Sequence, residues 1–258
     1  MHNQLKALLA EGKVALGGQL RFGSPAIAEL FGLAGYDWIL IDTEHAPQTP
    51  PGVMAQLQGV GCTPATALVR VAKNDPDLIK LYLDMGAAGI VAPFVNTPEE
   101  AKAGADACRY PPLGTRGWGP DRAAGYGLRS QEYTASSDRE VMFVPIIESA
   151  LAIENIEGIL GTEGVDSCIV GPVDLSISLG TPFDYQSRPF QQALDAVLEA
   201  AKGCKKPAGI GVYGPVFEAG LATELVERGF RLILAGGDEW ILGSGCRLVL
   251  DQLHKLRS

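Results

Sequence analysis

The fold is decided by the stretch Trp38-Ile39-Leu40-Ile41-Asp42-Thr43-Glu44-His45, in which four apolar residues run into a segment with three ionisable side chains. A continuous apolar run is typical of a strand that is buried on both faces of its sheet. An unpaired charge inside a core is very costly, so the ionisable residues make poor packing. The stretch therefore predicts a buried strand whose end opens into a functional site.

Three further strand-like runs also lead into a charged residue. Arg70 closes Ala67-Leu68-Val69, and Glu148 closes Phe143-Val144-Pro145-Ile146-Ile147. Asp174 stands just past Cys168-Ile169-Val170-Gly171-Pro172. The repetition predicts a catalytic face that is built from the ends of several strands.

Apolar strand-like runs alternate with amphipathic helix-like stretches along the chain, and this alternation predicts a parallel sheet. Eight such units match a single-domain (β/α)₈ TIM barrel in both count and length. The alternative is an open doubly wound sheet, which usually carries a G-x-G-x-x-G loop behind its first strand; residues 17–23 match that loop poorly. The predicted strands span residues 14–18, 38–42, 66–70, 89–92, 142–147, 167–170, 208–212 and 231–235.

The composition disfavours several classes of protein. The 258 residues carry a net charge of −9, which repels nucleic acid and anionic membranes. No run approaches the roughly 18 apolar residues of a membrane-spanning helix. The five cysteines are scattered, so neither a disulfide framework nor a structural zinc site is expected. We therefore expect a cytoplasmic protein with no nucleic-acid or membrane partner.

Two segments interrupt the regular alternation. Residues 110–140 form a long insertion rich in Gly, Pro and Arg, and long loops of this kind are usually lids or interface elements. Within it, Arg116 and Arg122 either meet a second carboxylate of a substrate or are solvated or subunit-contact residues. Residues 239–257 predict a C-terminal helix that closes the barrel or packs on a neighbouring subunit.

The carboxyl ends of barrel strands converge on one mouth, which places Glu148 and Asp174 within reach of a common ligand. Two carboxylates with no nearby cysteine suit Mg²⁺, Mn²⁺ or a similar divalent ion, with substrate and water completing the coordination. The alternative is that the two acids accept hydrogen bonds from loop amides.

His45 and Arg70 supply the remaining chemistry of the predicted mouth. His45 is placed to accept a proton; the alternative is a structural histidine that caps a loop. Arg70 either steadies an enolate oxygen or forms a buried ion pair with Asp42 or Glu44. No lysine follows a strand end, Lys73 coming nearest, so metal-dependent enolate chemistry is favoured over a Schiff base.

The chain resembles the HpcH/HpaI aldolase family, the class II pyruvate aldolases, over residues 16–242. Several motifs carry the resemblance in the right order: Trp38-Ile-Leu-Ile-Asp-Thr-Glu-His45-Ala-Pro47, Val69-Arg70-Val71, Leu83-Asp84-Met-Gly86-Ala87, Arg109-Tyr-Pro-Pro-Leu-Gly-Thr-Arg-Gly117, Ile147-Glu148-Ser149 and Gly164-Val-Asp-Ser-Cys-Ile-Val-Gly-Pro-Val-Asp-Leu-Ser176.

The resemblance implies a (β/α)₈ barrel that cleaves 4-hydroxy-2-oxo acids to pyruvate, or a related 2-oxo acid, and an aldehyde. It implies that Glu148 and Asp174 hold a divalent ion, Mg²⁺, Mn²⁺ or Co²⁺, that Arg70 stabilises the enolate and that His45 accepts a proton. It further implies substrate contacts from Arg70, Gly171, Pro172, Val173 and Asp174.

The resemblance also pairs the histidine with an aspartate, matched here by Asp84. This residue ends a helix on the side away from the predicted mouth, so it reaches His45 only from a neighbouring subunit. We therefore expect a homo-oligomer, in the family's manner a hexamer with exchanged C-terminal helices; the alternative is that Asp84 has a local partner. Ile146 stands where many relatives carry a substrate-binding Gln.

Two other functions compete with the aldolase prediction. A citrate-lyase-like enzyme that cleaves acyl-CoA thioesters would need a basic path for the CoA phosphates, which the acidic composition disfavours. A non-catalytic barrel that binds a small acid is disfavoured because His45, Arg70, Glu148 and Asp174 occur together. The aldehyde and the preference for one divalent ion are not determined by these patterns; residues 110–140 and 214–217 are expected to set the specificity.

Overall fold

The computed structural model describes residues 2–212 and 219–254. Eight parallel strands form a closed barrel in chain order, and β8 pairs with β1 to complete it. This confirms the predicted (β/α)₈ TIM barrel and excludes the doubly wound alternative, whose sheet would remain open. The strands are β1 (Ala15–Leu20), β2 (Trp38–Asp42), β3 (Thr66–Arg70), β4 (Gly89–Ala92), β5 (Met142–Ile147), β6 (Cys168–Val170), β7 (Ala208–Val212) and β8 (Leu232–Gly237).

Helices connect the strands and cover the outside of the barrel. Several begin at the capping residues that the sequence supplies, as at Asp75, and Thr97 forms a capping box with Glu100. The helices are α1 (Gln4–Ala10), α2 (Pro25–Leu33), α3 (Pro50–Val60), α4 (Pro76–Asp84), α5 (Pro98–Cys108), α6 (Ser130–Glu140), α7 (Ala150–Glu154), α8 (Ile156–Gly161), α9 (Pro172–Ser178), α10 (Arg188–Cys204), α11 (Ala219–Arg228) and α12 (Asp238–Leu253).

The apolar core has two layers. One lies between the strands and the surrounding helices, and the other fills the interior of the barrel. Leu5 and Leu9 of α1 belong to the interior layer, so α1 plugs the amino-terminal end of the barrel. The opposite end remains free for a site, as in other barrels of this kind. No helix in the described part of the chain is long and apolar enough to cross a membrane.

β1 and β8 both end two residues beyond their predicted ends. Their glycine-rich sequences, which resemble loops, allow close packing instead: a Cβ on Gly17 would stand 2.1 Å from the Trp38 ring, and one on Gly18 would stand 2.6 Å from the Phe31 ring. The longer strands place Gln19 inside the barrel and Glu239 two residues past the end of β8.

The insertion of residues 110–140 connects α5 to β5, so it lies at the amino-terminal end of the barrel. It contains a short 3₁₀ turn, Arg122–Ala124, and the helix α6. Because the mouth is at the other end, this segment does not cover the mouth of its own chain. The predicted specificity residues 214–217 fall outside the described residues.

Candidate active site

A cavity of about 430 Å³ opens at the carboxyl ends of the strands. Its floor is apolar and includes Ile146. By the resemblance, a substrate-binding Gln would stand at this position in many relatives. Its walls carry Arg70, Glu148 and His45, so the structure brings together side chains that are far apart in the sequence. The full lining is Gln19, Arg21, Leu40, His45, Arg70, Val91, Ile146, Glu148, Ile169, Gly171, Pro172, Val173, Asp174, Leu234, Glu239 and Trp240.

Asp42 and Arg70 form a bidentate ion pair between the ends of β2 and β3. Arg70 Nε donates to Asp42 Oδ1 at 2.9 Å, and Nη2 donates to Oδ2 at 2.6 Å. Asp42 is fully buried. Although burial opposes ionisation, Arg70 and the backbone N–H groups of Glu44 and His45 hold the pKa of Asp42 below its usual range. The ion pair foreseen as the alternative role of Arg70 is therefore present, and it orients the guanidinium along the cavity wall.

Glu44 lies between Arg70 and His45. Its Oε2 atom is 3.3 Å from Arg70 Nε and 3.8 Å from His45 Nε2. That oxygen is buried and accepts no hydrogen bond from the described residues. Burial, with the charges of Asp42 and Asp174, raises the pKa of Glu44 against the opposing effect of Arg70. The histidine ring itself is exposed at the mouth, beside this carboxylate.

Glu148 follows β5 and is held by a backbone amide. Phe94 N–H donates to Glu148 Oε1 at 2.7 Å, from a residue in the left-handed region with φ of 49°. Burial raises the pKa of Glu148 to about 7, and the charges of Glu44 and Asp174 act in the same direction. The alternative role foreseen for the acids, a hydrogen bond to a loop amide, is thus present for Glu148 and leaves the carboxylate in the cavity wall.

Asp174 and Gly171 approach Glu148 from the neighbouring strand end. Asp174 lies in the first turn of α9, and its charge acts on both Glu44 and Glu148. A Cβ on Gly171 would stand 3.0 Å from Glu148 Oε2, so this position favours glycine for reasons of space. The two predicted metal ligands therefore lie on one side of the cavity.

These residues fit a divalent cation. The carboxylate oxygens of Glu148 and Asp174 are the donors that Mg²⁺ and Mn²⁺ prefer, and both side chains line the same cavity. A bound cation would relieve the repulsion that contributes to the raised pKa of Glu148. Among residues 2–212 and 219–254, no group of three or more His, Cys, Asp and Glu is arranged to hold a metal, so substrate and water would supply the other ligands.

Three residues of the mouth were not predicted from the sequence: Gln19, Arg21 and Glu239. Gln19 Nε2 donates to Asp42 Oδ2 at 2.9 Å. Arg21 donates to Glu239 Oε1 at 2.8 Å and to the His45 carbonyl at 2.6 Å. Like the predicted site residues, these three are polar side chains at or just past a strand end. The sequence pattern does not indicate them because the predicted ends of β1 and β8 fall two residues before the observed ends.

The structure does not place Asp84, Arg116 or Arg122 at the mouth of their own chain. Asp84 ends α4 at the amino-terminal end of the barrel and accepts a 2.7 Å hydrogen bond from Arg116, so it has the local partner foreseen as the alternative. Arg116 is buried within its own chain, and Arg122 donates to the carbonyls of Leu57 and Met85. Neither arginine meets a substrate in its own barrel, because the insertion lies at the other end.

Comparisons with known proteins identify the family of the chain. The family model described as HpcH/HpaI aldolase/citrate lyase matches residues 20–239. The chain is 40% identical over 248 residues to a 4-hydroxy-2-oxovalerate aldolase of Novosphingobium aromaticivorans, covering 94% of this chain and 91% of the relative. It is 34% identical to a 5-keto-4-deoxy-D-glucarate aldolase of Salmonella arizonae, covering 98% and 97%.

A solved structure is similar over the same length. It is that of an HpcH/HpaI aldolase/citrate lyase family protein from Burkholderia cenocepacia, which superposes with a TM-score of 0.90 at 34% identity. The superposition covers 99% of this chain and all of the other. Fold and length therefore agree across the whole barrel.

Proposed function

The chain belongs to the HpcH/HpaI aldolase/citrate lyase family, and from that premise we propose how its own residues carry out the reaction. It is a class II pyruvate aldolase that cleaves 4-hydroxy-2-oxo acids to pyruvate and an aldehyde. The observation that carries the proposed roles is the convergence of Arg70, His45, Glu148 and Asp174 on one cavity. No lysine lines that cavity in the described part of the chain, which agrees with an enzyme that forms no Schiff base.

The pyruvate half of the substrate is proposed to lie against the ends of β5 and β6. Its carboxylate meets the backbone of Gly171, Pro172 and Val173, where the first turn of α9 leaves the Val173 N–H without a helical partner. Pro172 has no N–H, and the Gly171 N–H donates to the Ile147 carbonyl at 3.1 Å. The family's class II enzymes depend on a divalent metal, and Glu148 and Asp174 are the residues that would hold it. When bound, the ion would supply Lewis-acid polarisation of the 2-oxo group.

Arg70 and His45 are proposed to handle the developing charge and the proton. His45 accepts the proton of the C4 hydroxyl as the C3–C4 bond breaks and the aldehyde leaves. The electron pair of that bond passes to the pyruvate half as an enolate, whose oxygen faces the guanidinium that Asp42 orients. Return of the proton to C3 completes pyruvate. Glu44 Oε2 lies 3.8 Å from His45 Nε2, on the side of the ring that Arg70 also approaches through Glu44.

We propose that the chain works as a homo-oligomer, most simply a hexamer, in which Asp84 of one subunit reaches His45 of another. The support is that α12 carries large exposed apolar side chains and has one buried residue, Asp238, in its described part. A helix with such a surface gains by packing on a second copy. The five cysteines are free thiols, which supports the expected cytoplasmic location.

The test is release of pyruvate from 4-hydroxy-2-oxo acids, followed with a coupled dehydrogenase. Chelation with EDTA should abolish release, and Mg²⁺, Mn²⁺ or Co²⁺ added back should restore it and rank the metals. Release that is indifferent to EDTA would overturn the metal assignment. Metal-dependent cleavage of an acyl-CoA thioester with no release from 2-oxo acids would overturn the aldolase assignment.

A further inference from the structure

A second arginine, Arg21, faces the cavity from the side opposite the proposed metal ligands. It directly follows β1, which lies four strands from β5 around the eight-stranded barrel, and Glu148 follows β5. The pyruvate half is proposed to lie at the ends of β5 and β6. The aldehyde half of the same substrate therefore extends across the mouth towards Arg21.

The guanidinium of Arg21 has more N–H donors than the hydrogen bonds it makes with the described residues. It carries five N–H groups, and two of them donate, to Glu239 Oε1 and to the His45 carbonyl. The others make no hydrogen bond with the described residues, although Nε lies 3.7 Å from Asp42 Oδ2. The side chain remains 37% exposed and lines the cavity. A group that only donates is complemented by an oxygen that accepts.

The surroundings of Arg21 hold it in this position. Asp238 accepts hydrogen bonds from the backbone N–H groups of Arg21 and Phe22, at 2.9 and 3.0 Å, which joins the end of β1 to the start of α12. Glu239 packs against Gly237, where a Cβ would stand 2.7 Å from Glu239 Oε2. The guanidinium is therefore fixed before a substrate arrives, which lowers the entropic cost of binding to it.

We propose that Arg21 binds an oxygen substituent, hydroxyl or carboxylate, on the aldehyde half of the substrate. The inference rests on the proposed function, because it takes the position of the pyruvate half from it. Such a contact favours 4-hydroxy-2-oxo acids that carry an oxygen beyond C4, as sugar-derived acids do. It disfavours 4-hydroxy-2-oxovalerate, which has a methyl group at that position. A methyl group would cover the guanidinium and leave buried donors without acceptors, and sites built to hydrogen-bond reject such analogues strongly.

The experiment is run in the direction of synthesis, with pyruvate, a divalent ion and aldehydes of matched size. Glycolaldehyde is compared with propanal, and succinic semialdehyde with 4-methylpentanal, each at its free aldehyde concentration. We expect kcat/KM to favour the oxygen-bearing member of at least one pair by about tenfold to a hundredfold. Preference in the first pair assigns a hydroxyl, and preference in the second assigns a carboxylate. A ratio near one in both pairs would overturn the inference.

Arg21→Met should bring the favoured ratio close to one, while Arg139→Met, a matched change on the surface of α6, should leave it unaltered. Arg21→Lys keeps the charge but loses the planar fork, so an intermediate ratio is expected even if the methionine variant folds poorly. An equal loss for both members of a pair would show that Arg21 only supports the His45 loop, and would overturn the inference. Absence of pyruvate consumption with every aldehyde would overturn the proposed function as well.

Discussion

The barrel carries a buried arginine paired with an aspartate at each end, and the two pairs differ in their surroundings. Arg70 and Asp42 meet at 2.6 Å at the mouth, and Arg116 and Asp84 meet at 2.7 Å at the amino-terminal end. At the amino-terminal end, Arg116 has one acid within 4 Å among the described residues, and its guanidinium lies 4.7 and 5.6 Å from the ring centres of Tyr110 and Tyr133.

The mouth has many more acids than arginines. Arg70 lies within 4 Å of the carboxylates of Asp42 and Glu44. Arg21 lies within 4 Å of those of Asp42 and Glu239. Glu148 and Asp174 lie beside these pairs, and the charges of Asp174 and Glu44 add to burial in raising the pKa of Glu148. A balanced pair such as Arg116–Asp84 is suited to holding the chain together, whereas the surplus of carboxylates at the mouth is suited to the cation of the proposed function. The difference lies in the neighbouring charges, since the central pair is the same.

Removing one carboxylate of that surplus should have the largest effect. We expect Glu148→Gln to lower pyruvate release by about 100- to 1,000-fold, because it weakens binding of the cation that would stabilise the negative charge developing on the enolate. The metal-free variant should be at least as stable as the wild type, because Gln keeps the acceptor for Phe94 N–H and removes a charge from a repulsive cluster. Kinetics and thermal melts in EDTA measure the two effects.

The matched control is Glu157→Gln, an exposed residue of α8, which should change neither quantity. A Glu148→Gln enzyme with wild-type activity would refute the role of this carboxylate. A large loss of stability in the same variant would refute the contrast between the two ends of the barrel.

Breaking the balanced pair should act on stability instead. We expect Arg116→Met to lower the free energy of unfolding by about 3 kcal/mol, because it leaves Asp84 largely buried without its cation. It also removes the hydrogen bond that Arg116 donates to Tyr133 Oη at 3.0 Å. Urea unfolding checks the value, with Arg139→Met as the exposed control. Unchanged stability would show that the pair at this end is not structural.

Asp84 connects the two ends if the proposed oligomer is correct. His45→Ala and Asp84→Asn should each be poorly active alone, and Asn still accepts the hydrogen bond from Arg116. Because each proposed site takes its histidine and its aspartate from different subunits, equal mixing during co-expression should restore about a quarter of wild-type activity. Light scattering on the same samples gives the oligomeric state. No recovery on mixing, or full activity of Asp84→Asn alone, would contradict the shared site.

The same residues show what the sequence could predict. Strand ends followed by charge led to His45, Arg70, Glu148 and Asp174, because each closes or follows a long apolar run whose buried character is unambiguous. The barrel followed from the same runs, since their continuity and spacing leave few other parallel arrangements. Their catalytic roles remain predictions, because contacts within the chain do not test them.

The sequence was least informative where glycine interrupts a strand. Gly17 and Gly18 in β1, and Gly236 and Gly237 in β8, resemble turns, and they concealed the fact that Arg21 and Glu239 follow strand ends. The reason for glycine in β1 is spatial contact with the aromatic rings of Trp38 and Phe31, which are far from it in the sequence. The sequence analysis also did not place Arg116 at the amino-terminal end of the barrel. Any segment between a helix and the next strand of a barrel must lie at that end.

The smallest change keeps every charge at the mouth and moves one of them. Gly171 has ordinary φ and ψ angles of −89° and 93°, so alanine there is limited by contacts alone. Its Cβ would stand 3.0 Å from Glu148 Oε2 and 3.2 Å from Ile146 Cγ2, and the carboxylate must shift by a few tenths of an ångström. We expect Gly171→Ala to lower kcat/KM by about tenfold, because catalytic groups tolerate little misplacement.

The control is Gly203→Ala, in an exposed position of α10 with no neighbour within 4 Å. This variant should keep full activity and slightly stabilise its helix. If Gly171→Ala also keeps full activity, the position of Glu148 matters less than its charge, and the surplus of carboxylates alone would account for the function of the mouth.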